Sequence, residues 1–166
     1  MKRILIPAMV AGTFFAGGGA QAGTASTTMG VTMTVQSSCT VGATAVDFGS
    51  PTLIDMSGTI NDSTPGVITV TCTLGEDYSV ALDAGSGTGA TVATRKMTNG
   101  ASTLNYMLYT DNTRAAVWGD GTLTTSTVAG TGTGDPQTID VYGQIPQQSN
   151  LRTGTYSDTV TVTVNY

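Results

Sequence analysis

The residues that could do chemistry are few, and their types narrow the choice at once. Histidine is absent from all 166 residues. Without an imidazole there is no Ser-His-Asp triad, no Cys-His pair and no HExxH zinc site. Cys39 and Cys72 are the only thiols, 33 residues apart. A redox centre needs a close pair such as CxxC, and this spacing does not supply one. In an exported chain, two cysteines read as one disulfide rather than a metal site. A loop of that length stabilises a fold by roughly 3.5–4 kcal/mol in the chain-entropy account, less any strain.

Carboxylates are the remaining option, since two of them can hydrolyse a glycoside without histidine. Glu76 and Asp77 are neighbours, but adjacent strand residues point to opposite faces. They read as the turn before Tyr78. Asp120 and Asp135 sit in glycine-rich stretches, yet neither belongs to a D-x-[DN]-x-[DN]-G calcium run. The glycine-rich stretches at 84–90, 99–100, 119–121 and 129–135 have phosphate-loop spacing only by composition. A dinucleotide fingerprint needs a strand before it and a helix after it. Trp118 with Tyr109 could stack on a sugar, with core packing as the simpler use. Asn61-Asp62-Ser63 is a lone glycosylation sequon. The sequence predicts no enzyme, no catalytic residue, no cofactor and no metal.

The start of the chain reads as an export signal. Lys2 and Arg3 precede a largely apolar stretch at 4–16, followed by the cleavage-type triplet Ala20-Gln21-Ala22. This pattern predicts a cleaved signal peptide over 1–22, too short for a stop-transfer span. The remainder is sized for a single domain. It keeps four basic residues (Arg95, Lys96, Arg114, Arg152) against eleven acidic ones, so the net charge moves from −5 to about −7. Four scattered cations cannot form the stripe that phosphate backbones require, so nucleic acid is excluded as a partner. Anionic membrane surfaces are disfavoured likewise, and no second hydrophobic stretch suggests membrane insertion.

The elements that position these residues are strands. Threonine supplies 33 residues and glycine 22. Threonine is β-branched and suits the wet face of a pleated sheet. Alternation places Ile68, Val70, Cys72 and Leu74 on one face, and Tyr78, Val80 and Leu82 on another. Leu104, Tyr106 and Leu108 share a face, as do Ile139, Val141 and Gly143. Shorter strands are expected at 46–48, 53–54 and 116–118. No window carries helical periodicity. The fold class is all-β, a sandwich of antiparallel sheets.

Both ends carry strand patterns. Ala25, Thr27, Met29, Val31, Met33 and Val35 alternate with small or polar residues, a run of about a dozen residues where five or six is usual. The run from 156 to 166 places Val160, Val162, Val164 and Tyr166 on one side. A long apolar edge of this kind is an aggregation hazard unless something covers it.

The set CTVG (39–42), DFG (47–49), ITVTC (68–72), LNYMLYTD (104–111), WGDG (118–121) and the terminal YSDTVTVTVNY resembles the spore coat protein U domain family. That family includes the major pilins of Csu-type archaic chaperone–usher pili. The resemblance spans essentially the whole mature chain and implies an incomplete immunoglobulin-like sandwich lacking its last strand. A neighbouring subunit would supply the missing strand by donor-strand exchange. It implies a donor extension over 23–36 and a pilin domain over 37–166. Ala25, Thr27, Met29, Val31 and Met33 would be donor side chains; Val160, Val162, Val164 and Tyr166 would be the acceptor edge. Ile68, Val70 and Leu82 would lie in the groove floor. Cys39 and Cys72 match the family's disulfide positions. The implied partners are identical subunits in a linear homopolymer, a periplasmic chaperone, an outer-membrane usher, and tip or minor pilins. The implied location is an extracellular pilus serving adhesion and biofilm formation. A non-pilus spore or cell-surface coat protein and a secreted carbohydrate-binding module are the alternatives.

Overall fold

Alternating β-branched residues with glycine-rich turns produce nine strands and no α-helix among the described residues. The structure is a computed structural model and describes residues 19, 21–52 and 57–166. Almost all of the expected signal peptide, and the short strand expected at Leu53-Ile54, lie outside the described residues.

The strands are β1 (Cys39–Ala43), β2 (Ile60–Asn61), β3 (Gly66–Cys72), β4 (Asp77–Leu82), β5 (Arg95–Asn99), β6 (Ser102–Tyr109), β7 (Val128–Thr131), β8 (Gln137–Ile145) and β9 (Val162–Asn165). One sheet has the order β1-β3-β8-β6-β5, with β2 also paired to β8. The other has the order β7-β4-β9. All strand pairs are antiparallel.

The inward faces supply the core. Ile68, Val70 and Cys72 from β3 meet Tyr78, Val80 and Leu82 from β4, with Leu104, Tyr106 and Leu108 from β6 and Val141 and Ile145 from β8. Each fully buried Val, Leu or Ile contributes about 1.5–3 kcal/mol. Leu74 departs from the predicted face and is 77% exposed. The ladder ends at Cys72, and Leu74 and Gly75 form the turn into β4, so the alternation stops there. The stretches at 46–48 and 116–118 make only isolated bridges, Asp47 to Thr64, Tyr109 to Val117 and Trp118 to Ser126.

Trp118 is not a sugar platform. It is fully buried and donates its indole N–H to the Val80 carbonyl at 3.0 Å. Tyr109 is buried too. Glu76 lies in the turn, as the sequence suggests, but Asp77 is the first residue of β4, so the turn ends one residue earlier than expected. Asp120 accepts from the Thr122 amide at 2.9 Å in a local turn. Asp62 of the sequon is held by Arg114 Nη2 at 2.6 Å and by the Gly143 amide at 2.9 Å. This anchors β2 on β8.

Chain contacts divide between Thr34 and Val35, and residues 35–166 form the sandwich body. Residues 21–38 take no strand pairing among the described residues. The twelve-residue strand pattern therefore forms no ladder, since a strand needs a partner for its backbone groups.

Candidate functional site

The site is a gap between the sheets, visible first in β1. Its inward residues are set by register, because Cα partners in an antiparallel pair share a face. Cys39 pairs with Cys72, Val41 with Val70 and Ala43 with Ile68. The three β3 residues are buried, yet Val41 is 44% exposed and Ala43 is exposed. An apolar side chain pointing inward and still meeting solvent is only partly covered, although β9 of the opposite sheet comes within 8 Å of β1 between Cα atoms. The Cys39–Cys72 disulfide fastens this edge to β3.

The facing sheet shows the same deficit. There, among the described residues, β9 pairs with β4 alone, through Leu82 with Val162 and Val80 with Val164. Asp83 N–H donates to the Thr161 carbonyl at 3.1 Å, which fixes the parity of the ladder. Thr161, Thr163 and Asn165 turn their amides and carbonyls toward β4. Those of Val160, Val162 and Val164 then point to the open edge. Their side chains are half-buried.

A cavity of about 350 Å³ opens between the two edges. Ala43, Val46 and Phe48 line one side, Val160 and Val162 the other, with Ile68, Leu82, Leu108 and Val141 beneath. Val46 and Phe48 can lie here because Gly143 opposite has no Cβ; one built there would meet the Phe48 ring at 2.5 Å. Phe48 and Tyr106 stack edge to face at 6.3 Å between centroids. Asp158 braces the lead-in to β9. Its Oδ2 accepts from the Tyr106 hydroxyl at 2.7 Å, and its Oδ1 from Ser86 N–H and Oγ–H at 2.8 and 2.7 Å.

The predicted acceptor residues divide. Val160 and Val162 line the cavity, while Val164 lies beyond it and Tyr166 is 58% exposed. Of the predicted floor, Ile68 and Leu82 line it and Val70 is sealed in the core. The strand expected over 156–166 pairs with β4 only at β9, because Asp83 supplies its carboxylate where a β4 carbonyl would continue the ladder. Ala25 and Thr27 are exposed, and Met29, Val31 and Met33 are 85–86% exposed. Sequence reasoning missed Val46, Phe48, Tyr106, Met97 and Asp158 as site residues. The polar Asp158, two residues before a strictly alternating apolar run, was the one signal available.

These features define an all-β sandwich with one open, apolar edge. The chain belongs to the Spore Coat Protein U domain family, whose sequence profile matches residues 25–163. It is 33% identical over 159 residues to Protein U of Myxococcus xanthus, covering 89% of this chain and 88% of that protein. Among solved structures it resembles a chain of the CsuC–CsuE chaperone–tip adhesion subunit pre-assembly complex from the archaic chaperone-usher Csu pili of Acinetobacter baumannii. That likeness has a TM-score of 0.54 at 21% identity. It covers 80% of this chain and 40% of that one. At this identity the likeness is one of fold.

Proposed function

We propose that this chain is a structural subunit of a surface fibre, joined head to tail by strand donation. The carrying observation is the part-exposed inward face of β1, with Val41 44% exposed opposite a buried Val70, beside the unpaired edge of β9. The same chain carries an exposed, alternating run that fits such a gap. Residues 160–164 span about 14 Å of open edge, room for three successive inward side chains. Met29, Val31 and Met33 from a second copy match that number, with Ala25 and Thr27 extending the strand. Burying the three gives roughly 5–9 kcal/mol before ordering costs.

A tail entering the next body makes a heterologous contact, which propagates into open filaments rather than closing as a dimer. A subunit with an open apolar edge needs cover before assembly, so a periplasmic chaperone and an outer-membrane usher are its partners in this reading. The product is an extracellular pilus serving adhesion and biofilm formation, and no catalysis is involved. The likeness to Protein U favours a second reading, a spore or cell-surface coat assembled by the same strand donation without a pilus.

Two complementary variants test the joint. Val31→Asp carries a charge that the groove cannot bury, so it can accept but not donate. Val162→Asp can donate but not accept. Each alone should remain monomeric in size-exclusion chromatography, and their mixture should give one-to-one pairs and nothing longer. Polymers from either variant alone would sink the reading. Circular dichroism of Val162→Asp confirms that its body is folded.

A further inference from the structure

We infer that Met29 and Met33 are oxidation sites that decide whether a subunit can donate its strand. The inference rests on the donor-strand reading above. Four methionines fall among the described residues, and they divide sharply. Met29 and Met33 are 85% and 86% exposed. Met97 is half-buried and lines the groove, and half-buried Met107 accepts through sulfur from the Tyr109 hydroxyl at 3.4 Å. The two thioethers most open to a soluble oxidant are thus the two largest side chains of the donor run.

The chemistry is a two-electron oxygen transfer. A thioether sulfur lone pair attacks one oxygen of a hydroperoxide, the O–O bond breaks, and the second oxygen leaves as water or alcohol. The sulfur is oxidised and the peroxide reduced. Thioether plus hydrogen peroxide gives sulfoxide plus water, so atoms and electrons balance. The product is polar and chiral, where the thioether was apolar and adaptable.

The apolar floor of the groove disfavours that product. Its floor is Ile68, Leu82, Leu108 and Val141. The Tyr106 hydroxyl is committed to Asp158, Thr44 Oγ1 is engaged with the Val67 amide and carbonyl, and the lining hydroxyl of Ser157 sits on an exposed residue outside that apolar floor. A sulfoxide oxygen placed on this floor would lose its water and meet only apolar side chains there. Oxidation before assembly therefore disables a donor. Oxidation after assembly is blocked, because the seated strand shields both sulfurs. An oxidant in the assembly compartment acts as a gate on growth and spares finished fibre.

The test uses the full mature chain with hydrogen peroxide added before or after assembly, alongside a Met29→Leu, Met33→Leu double variant. Leucine conserves volume and cannot form a sulfoxide. Pre-treatment should slow wild-type assembly by at least about tenfold and leave the double variant near its untreated rate. Mass spectrometry should place one oxygen on each of Met29 and Met33 in monomer, and neither in treated fibre. Wild-type chain carrying both sulfoxides but assembling at its untreated rate would overturn the inference alone. Equal inhibition of the double variant would also overturn it, placing the damage elsewhere. Untreated chain that never assembles would remove the donor-strand reading, and this inference with it.

Discussion

The Tyr106 hydroxyl donates to Asp158 Oδ2 at 2.7 Å, joining the middle of β6 in one sheet to the lead-in of β9 in the other. Asp158 Oδ1 accepts from the Ser86 amide, the Ser86 hydroxyl and the Thr159 amide. Gly85 faces this carboxylate with φ +77 and no room for a Cβ. Three chain segments thus converge on one side chain, and they hold the lead-in to β9 in place. Preorganisation of this kind lowers the ordering cost that a donor would meet.

Burial raises the Tyr106 phenol well above its ordinary range, and the Asp158 hydrogen bond and charge add to the rise, so it remains a donor at any working pH. Tyr106→Phe keeps the ring and removes the donor. The expected loss is about 1.5–3 kcal/mol, the range for hydrogen bonds to charged groups. A double-mutant cycle with Asp158→Asn, followed by urea unfolding, measures the coupling. Additive losses within about 0.5 kcal/mol would show that the pair contributes nothing as a pair.

Asp83 gives the β9 edge a dependence on acid. Its Oδ1 accepts from the Thr161 and Gly85 amides, both at 2.9 Å. Burial acts to raise its pKa, but the Thr161 and Gly85 hydrogen bonds and the Arg95 charge outweigh it and hold the carboxyl below its ordinary value. A depressed carboxyl contributes stability above its unfolded pKa and loses it as pH falls through the folded value. Between about pH 5 and about pH 2, wild type should therefore lose more stability than Asp83→Asn. The amide oxygen of Asn still accepts and does not titrate there. The difference should stay under about 1 kcal/mol, since the group is largely solvated. Parallel acid slopes for the two proteins in urea unfolding would remove Asp83 as the cause.

Much of this was legible from alternation, and the failures have physical causes. The buried faces of β3, β4, β6 and β8 follow the period-two pattern, because each has one face on the core. β1, β2, β5 and β7 escaped notice. Arg95-Lys96-Met97-Thr98-Asn99 has one hydrophobic side chain, and Val128-Ala-Gly-Thr131 is short and contains glycine. Leu74 misled because a pattern does not reveal where its ladder ends. The gap at Val41 was legible only through register, since sequence alone cannot say which inward residue lacks cover. Arg95 was the largest omission, counted as one of four scattered cations although it is completely buried.

Arg95 makes the last prediction, because a buried guanidinium needs a reason. Its Nε donates to the Asp83 carbonyl at 2.8 Å, and its Nη2 to the carbonyls of Trp118 at 2.8 Å and Leu82 at 3.3 Å. Those carbonyls lie where β4 ends and the 118–121 loop folds over it. Arg95 Nη1 has no partner among the described residues. Burial lowers the guanidinium pKa, while Tyr106, Asp83 and Asp158 act to raise it. The planar fork reaches three carbonyls that a single ammonium cannot span. Arg95→Lys should therefore destabilise by about 3 kcal/mol, since it keeps the charge and loses the geometry. Arg95→Met removes the charge but leaves three acceptors unpaired, and a similar loss of about 3 kcal/mol is expected. Urea unfolding of both variants separates the alternatives. If Arg95→Met is as stable as wild type while Arg95→Lys is not, the carbonyls need no partner and the buried charge is itself the cost.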